Sequence, residues 1–432
     1  MEEMGKRRLG KDEEENMKDM KDCEKKRHQA SVLSDEIIFN EIFPRVPIKP
    51  LIRLKLICNK WRTTISTDSL FKTSQSQISV SNPPHGLIYS GQNNYVFLPT
   101  TSTRNLVGLP DLNKYKVMCD GLHNSLFYHK CQESLLASCN GLLCGSYYKE
   151  GTEYFYVTNP LTDEIVSIPN SKKLEQVSLA FDPLSCNPYY TLVGRYVKTN
   201  DLYNKTTDIG FTIYSSKKGI WEVANAKVRI LKYIERTFIK ALSRAVFIGG
   251  KLHWILGYEN VLWYYVNEDN AGVVALPVKK RYIYGEIGDL HGNLCYTYIS
   301  AQNDIDIWVL ESNKTTEFKW VKKYWLSLKR LFEYTMKAKF PWNPTLLMRV
   351  AKACTLDRYR RVLPYEGGDV VMLWVNYKMG VDDDEGIVIS YNIKTGFLKF
   401  DQQSELTRWK GFLLSYRSSL VSLPKPCKRT NV

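Results

Sequence analysis

Short strand-like runs separated by glycine turns recur through this 432-residue chain from about residue 80 onward, and that recurrence restricts its fold more than any other feature. Runs rich in Val, Ile, Tyr and Phe alternate there with turns of Gly, Asn, Asp and Ser, the pattern of short, half-buried strands. One copy reads Asn140-Gly141-Leu142-Leu143-Cys144, Phe155-Tyr156-Val157, the turn Asn159-Pro160-Leu161-Thr162, then Ile165-Val166-Ser167-Ile168-Pro169. A second reads Gly249-Gly250-Lys251-Leu252-His253-Trp254, Leu262-Trp263-Tyr264-Tyr265-Val266, then Val273-Val274-Ala275-Leu276-Pro277. A third starts at His291-Gly292-Asn293-Leu294-Cys295 and a fourth at Gly368-Asp369-Val370-Val371. Gly250 and Gly292 stand 42 residues apart, the length of one four-stranded propeller blade. The other gaps are irregular. The expectation is a single closed β domain over residues 80–425, its ring sealed by a last strand, Leu420-Val421-Ser422-Leu423, paired with an early one. Gly249-Gly250 and Gly367-Gly368 read as hairpin turns. The one long amphipathic helix expected in this part lies around residues 321–339.

The first eighty residues have a different texture. Residues 1–30 carry nine basic and nine acidic side chains with few apolar ones. Such a stretch cannot bury enough apolar area to offset its ordering entropy, so a disordered charged tail is expected. Lys6-Arg7-Arg8 and Lys25-Lys26-Arg27 read as parts of that solvated tail rather than as a nuclear import signal. Residues 31–75 read as three short helices. Ser34 is placed to cap the first, with Asp35 and Glu36 where the helix dipole favours anions. Ile37, Ile38, Ile42 and Phe43 share its apolar face, and Pro44 and Pro47 end it. Pro50 suits the first position of the second helix, where its missing N–H costs nothing. Leu51, Leu54 and Cys58 line one stripe of it, and Asn59 is placed to cap a third helix carrying Trp61 and Ile65. Three helices in about forty residues make a core too small to be secure alone, so a partner surface is expected.

Composition excludes several classes. No apolar run approaches the roughly 18 residues of a membrane helix, and the charged N-terminus does not read as a signal peptide. A cytoplasmic or nuclear location is expected. Ten cysteines are scattered without a CxxC pair, which argues against a structural zinc site and against a RING. The six histidines show no metal spacing, and neither a P-loop nor GxSxG occurs. Acidic Asp382-Asp383-Asp384-Glu385 lacks the alternation of a calcium loop and reads as a solvated turn. No catalytic residue, metal or cofactor is therefore assigned. The 28 tyrosines favour strand surfaces. A net charge of +15, all of it outside the neutral tail, suits an acidic partner.

Leu33-Ser34-Asp35-Glu36-Ile37-Ile38, Glu41-Ile42-Phe43-Pro44-Arg45-Val46-Pro47-Ile48-Lys49 and the run from Leu51 to the closing Lys60-Trp61-Arg62 resemble the F-box. Two positions depart from that family: Ser34 stands where Pro is usual, and Pro50 where plant F-boxes carry Ser. The remainder resembles the kelch-like F-box-associated domain of plant F-box proteins, through Ser138-Cys139-Asn140-Gly141-Leu142, Asn159-Pro160-Leu161-Thr162, Phe181-Asp182-Pro183, the segment from Tyr214 to Trp221, Gly250-Lys251-Leu252-His253-Trp254, and the final Tyr416-Arg417-Ser418-Ser419-Leu420-Val421-Ser422-Leu423. The resemblance implies a mainly β chain, a small N-terminal three-helix F-box followed by a β-propeller-like (kelch-like) domain. It also implies docking to a Skp-family adaptor and, through it, a cullin scaffold, as the substrate-recognition subunit of an SCF-type ubiquitin ligase, itself not an enzyme. By motif position the adaptor-binding residues are Leu33, Ile42, Val46, Pro47, Leu51, Leu54, Cys58 and Trp61.

One basic stretch stands apart. Between residues 320 and 349, Lys322, Lys323, Lys329, Arg330, Lys337, Lys339 and Arg349 face only Glu333, with Tyr324, Trp325, Phe332, Tyr334, Phe340 and Trp342 interleaved. Lys322, Lys323, Lys329 and Arg330 are assigned to an acidic protein substrate. Three other readings stand beside this one: cations and stackable rings that bind a single nucleic-acid strand, an adaptor-bound scaffold that degrades nothing, and a strand plus an exposed basic helix whose aromatics lie in the core.

Overall fold

The computed structural model of the chain describes residues 33–80, 86–90, 95–99, 134–170, 174, 177–185, 188–200, 206–230, 244–257, 259–278, 285–300, 302, 304–312, 318–329, 333, 360–362, 370–376, 386–396, 398–402 and 413–423. The expected charged tail and the Gly367-Gly368 turn lie outside them. The chain divides into two compact units, Met1–Phe71 and Lys72–Val432.

The first unit begins as the capping signal predicts. The Ile37 N–H donates to Ser34 Oγ at 3.3 Å, and α1 (Asp35–Ile37) runs on through a π turn, Ile38–Ile42, and a 3-10 turn, Phe43–Arg45. Val46 is then extended (φ −69°, ψ 131°), the conformation a residue before proline prefers. Pro47, not Pro50, precedes α2 (Ile48–Leu54). Pro50 is its third residue, still in the first turn, where no intrahelical acceptor is lost. Cys58 rather than Asn59 stands at the N-cap of α3 (Asn59–Thr67), and no side chain caps it. A further helix, α4 (Ser69–Val80), follows. The Leu70 and Phe71 N–H groups donate to Asp68 Oδ1 at its start. The helical part therefore has four segments where three were expected. The boundary expected at residue 75 falls inside α4, because that helix passes from one unit into the next. The first unit's core is Phe43, Ile48, Leu51, Ile65 and Phe71, with Trp61 edge-on to Phe43 at 4.8 Å.

In the second unit the strands form consecutive antiparallel meanders. The first complete blade is β3–β6 (Ser134–Cys139, Leu142–Lys149, Thr152–Asn159, Glu164–Pro169). The second is β7–β10 (Val177–Phe181, Tyr190–Asn200, Thr206–Ser215, Ile220–Ile230). The third is β11–β14 (Val246–Ile248, Lys251–Leu256, Asn260–Tyr265, Asn270–Ala275). The fourth is β15–β18 (Gly285–Leu290, Asn293–Ile299, Asp304–Ser312, Phe318–Ser327). The fifth is β19–β22 (Arg360–Val362, Val370–Asn376, Gly386–Asn392, Leu398–Gln402). A three-stranded sheet joins the two ends of the unit: β1 (Gly86–Ser90) lies between β2 (Tyr95–Pro99) and β23 (Leu413–Tyr416).

The first strand of each complete blade touches the next blade's first strand or its neighbour, from β3 through β7, β11 and β15 to β19, while β23 and β1 lie against β3. The core is therefore a series of layers between blades. Phe155, Phe181 and Tyr190 fill one layer, Phe211, Trp254 and Tyr264 the next, and Ile287, Leu294 and Tyr296 a third. Trp221 and Trp320, near the starts of β10 and β18, donate their indole N–H to the carbonyls of Pro169 and Ala275 at the ends of β6 and β14. Both pegs thus tie one blade's outer strand to the preceding blade.

Each repeat read from the sequence maps onto a blade. Asn140-Gly141, Gly249-Gly250 and His291-Gly292 all have positive φ at both residues and join first to second strands, the hairpin geometry that suits strand twist. The 42-residue spacing is thus a true blade period. The blade β7–β10 escaped the reading because a longer connection led by Asp182-Pro183, not a two-residue glycine turn, joins its first two strands. Two expectations need correcting. The strand that pairs with an early one is β23, Leu413–Tyr416, not Leu420–Leu423. Residues 321–327 belong to the outer strand β18 rather than to a helix, because their backbone pairs antiparallel with β17 along its length. Helix begins only at Leu328, and residues 334–339 lie outside the described residues.

Candidate functional site

The helical unit leaves much apolar surface uncovered. Of the eight residues assigned by motif, Leu33, Ile42, Pro47 and Cys58 are exposed, Val46, Leu54 and Trp61 are half-buried, and Leu51 is fully buried. Leu51 is therefore a core residue of its own unit. Four apolar side chains outside that set are also exposed, Leu70 at 81%, Ile37 at 44%, Leu56 at 78% and Ile57 at 62%. A signal for the last two existed in the run Leu54-Lys55-Leu56-Ile57-Cys58, which is more apolar than one helix face can bury. Residues 55–57 form the turn after α2, and their N–H groups bond to the carbonyls of Ile52, Arg53 and Leu54. Leu56 and Ile57 are thus held outward on an ordered turn.

The sequence motifs of the β domain converge on one structural task. Asn159, fully buried, donates from Nδ2 to the carbonyls of Ser419 and Val421 at 2.9 and 2.6 Å, while its Oδ1 accepts the Leu161 N–H. Asn140 donates to the Phe181 carbonyl at 2.8 Å and accepts from Arg417 Nη1 at 3.0 Å. A Cβ on Gly141 would lie 2.4 Å from Ser419 Cβ, so only glycine lets the segment pass. The Leu423 N–H reaches Glu164 Oε2. On the other side of residues 417–423, the Leu420 N–H donates to Gln75 Oε1, Ser79 Oγ to the Ser418 carbonyl, and Lys72 Nζ to Ser422 Oγ. The C-terminal segment is a strap held between α4 and the first blade. It packs against the first-to-second-strand turn of that blade, Asn140-Gly141.

Of the residues assigned to a substrate, Lys322, Lys323 and Lys329 are exposed, and Arg330 lies outside the described residues. Lys322 Nζ is 2.7 Å from Asp306 Oδ1, whose side chain is buried. The other carboxylate oxygen accepts from Tyr298 OH at 3.2 Å. Burial and the adjoining carboxylate push that phenol up to about 12. Lys323 is ion-paired with Glu311. Both lysines thus balance carboxylates of their own blade, which leaves less charge for a phosphate backbone. Of the aromatics named with this stretch, Trp325 is 55% exposed and Tyr324 37%, while Phe332, Tyr334, Phe340 and Trp342 lie outside the described residues.

The histidines of the repeats have structural surroundings. His253 is buried, its Nδ1 3.3 Å from the Val246 carbonyl, and burial holds its pKa down at about 4. His291 is exposed in its turn. Among the described residues no cluster of His, Cys, Asp or Glu has the arrangement to hold a metal ion, and no helix is long and apolar enough to cross a membrane.

A helical module followed by blades of antiparallel strands defines a chain built of a small helical head and a β-propeller-like domain. The family described as "F-box protein At3g26010-like, beta-propeller" matches residues 111–341, and the chain belongs to it. It is a plant F-box protein with a propeller-like domain. Among its relatives in Arabidopsis thaliana, F-box protein At5g07610 is 26% identical over 322 residues, 70% of this chain and 72% of that protein. F-box protein At5g49610 is 25% identical, covering 65% and 74%. F-box/kelch-repeat protein At3g23880 is 22% identical, covering 63% and 74%.

Proposed function

We propose that the chain is the substrate-recognition subunit of an SCF-type ubiquitin ligase, cytoplasmic or nuclear, and not itself an enzyme. The helical unit docks a Skp-family adaptor and so a cullin scaffold, and the propeller holds a protein target. The observation that carries this reading is the exposed apolar surface of the helical unit, Leu33, Ile37, Ile42, Pro47, Leu56 and Ile57, on a core of only a few buried side chains. Apolar groups left in water on so small a module are what a partner's groove covers. With the target held near a ubiquitin-charged enzyme, transfer to a target lysine becomes effectively intramolecular. No side chain of this chain needs to react.

The test is co-purification of the full chain with the adaptor. Ile42→Glu with Ile57→Glu removes exposed apolar surface without touching the core. Binding is expected to fall by at least about a hundredfold, as loss of two anchors near an interface centre would give, with propeller melting unchanged. Undiminished adaptor binding in that variant sinks the reading. Leu51→Arg is unsuitable as a docking probe, because Leu51 is fully buried and its replacement unfolds the unit.

A further inference from the structure

Strand β18 differs from the other outer strands. Its residues from Lys322 to Trp325 are exposed four in a row, and Phe318 and Lys319 are exposed at its start. Among the described residues it bonds to β17 alone and forms the edge of its sheet. A bulge between Ile307 and Trp308 interrupts the pairing. Lysines and a bulge are ordinary ways to keep an edge from pairing with another strand. Exposed Phe318, Tyr324 and Trp325 are not: an edge that only needed protection would not also present three large apolar side chains. A second copy of this edge brings the same lysines and is repelled, whereas an acidic strand is drawn to them.

We propose that the β18 edge takes an extended, acidic segment of a protein partner as a fifth strand of its blade. Backbone N–H and C=O groups of the edge supply the pairing, exposed Lys319 and Lys329 supply the charge preference, since Lys322 and Lys323 balance carboxylates of their own blade, and Phe318, Tyr324 and Trp325 supply apolar contact. Specificity then comes from charge, since a neutral or basic strand meets the lysines without compensation. The proposal rests on the receptor reading for its biological meaning, but its chemistry is tested without the adaptor.

The probe is an alternating Glu-Val peptide about as long as β18, with its Lys-Val counterpart and a single-stranded oligothymidylate as comparisons, each titrated into the full chain by fluorescence anisotropy. The acidic peptide is expected to bind, the basic one not, and amide exchange of residues 318–327 is expected to slow in the complex. Lys319→Glu with Trp325→Ala should weaken binding about tenfold or more and leave melting unchanged. Equal binding of both peptides, no slowing of β18 exchange, or tight oligothymidylate binding lost in the same variant overturns the proposal. None of those outcomes touches adaptor docking, so the two readings fail separately.

Discussion

The helical unit and the propeller bury their side chains on different scales. The helical unit encloses Phe43, Ile48, Leu51, Ile65 and Phe71 and leaves Leu33, Ile37, Ile42, Leu56 and Ile57 in water. The propeller fully buries Trp254, Tyr190, Tyr264, Tyr416, Phe155, Phe181 and Phe211 between blades. A blade has two faces and covers both with neighbours, so each added blade completes the burial of the one before. The short helical segments have no such repetition, and several of their apolar side chains stay in water. The difference separates a unit with a large, layered core from one that leaves much of its apolar surface in water.

The largest expected effect breaks the propeller where its ends meet. Deleting residues from Leu413 onward removes β23, the partner of β1, together with the strap bonded to Asn159 and Gln75. It also removes buried Leu414, Tyr416, Leu420 and Val421. The loss exceeds the ~5 kcal/mol upper range of one core truncation, and the newly bare β1 edge favours aggregation. Size-exclusion chromatography with thermal melting checks it. A monomer with unchanged melting would show that the sheet joining the two ends contributes nothing to closure.

An intermediate effect sharpens the comparison by pH. His253 is buried in the propeller with its pKa held down at about 4, against an ordinary value near 6.5. A folded-state pKa below the unfolded one means that the unfolded chain binds the proton more readily. The contribution is therefore full above about pH 6.5 and is lost progressively as pH falls toward 4. Denaturant unfolding of the full chain between those values should show a falling propeller midpoint. His253→Gln should flatten the fall, and an unchanged slope would place the acid sensitivity elsewhere.

The smallest effect lies in the helical unit. Ser34→Ala removes the bond from the Ile37 N–H to Ser34 Oγ and should cost about 1 kcal/mol of helix stability. On the proposed adaptor docking, the loss should appear as weaker adaptor binding by a factor of about five, with the propeller midpoint unmoved. Isothermal titration against the adaptor reads it.

How far these features could be read from the sequence followed from how local they are. Ser34 as a cap, the glycine hairpins at Asn140-Gly141, Gly249-Gly250 and His291-Gly292, and the 42-residue blade period are set by backbone preferences within a few residues, so the sequence alone determined them. The blade β7–β10 lacked the glycine turn and went unseen. Residues 321–327 look helical by spacing, yet they form a strand because the backbone of β17 offers them an antiparallel partner. Leu51, placed by motif on a docking surface, is instead fully buried, as Ile65 is.

The sequence by itself determined the two kinds of texture, the family and the places of the turns, since each depends on neighbours along the chain. Tertiary structure decided which strand joins the two ends, why Asn140 and Asn159 stand where they do, and which apolar residues stay in water. Those outcomes depend on partners hundreds of residues away, such as Ser419 for Asn159. No local preference carries information about a bond of that span.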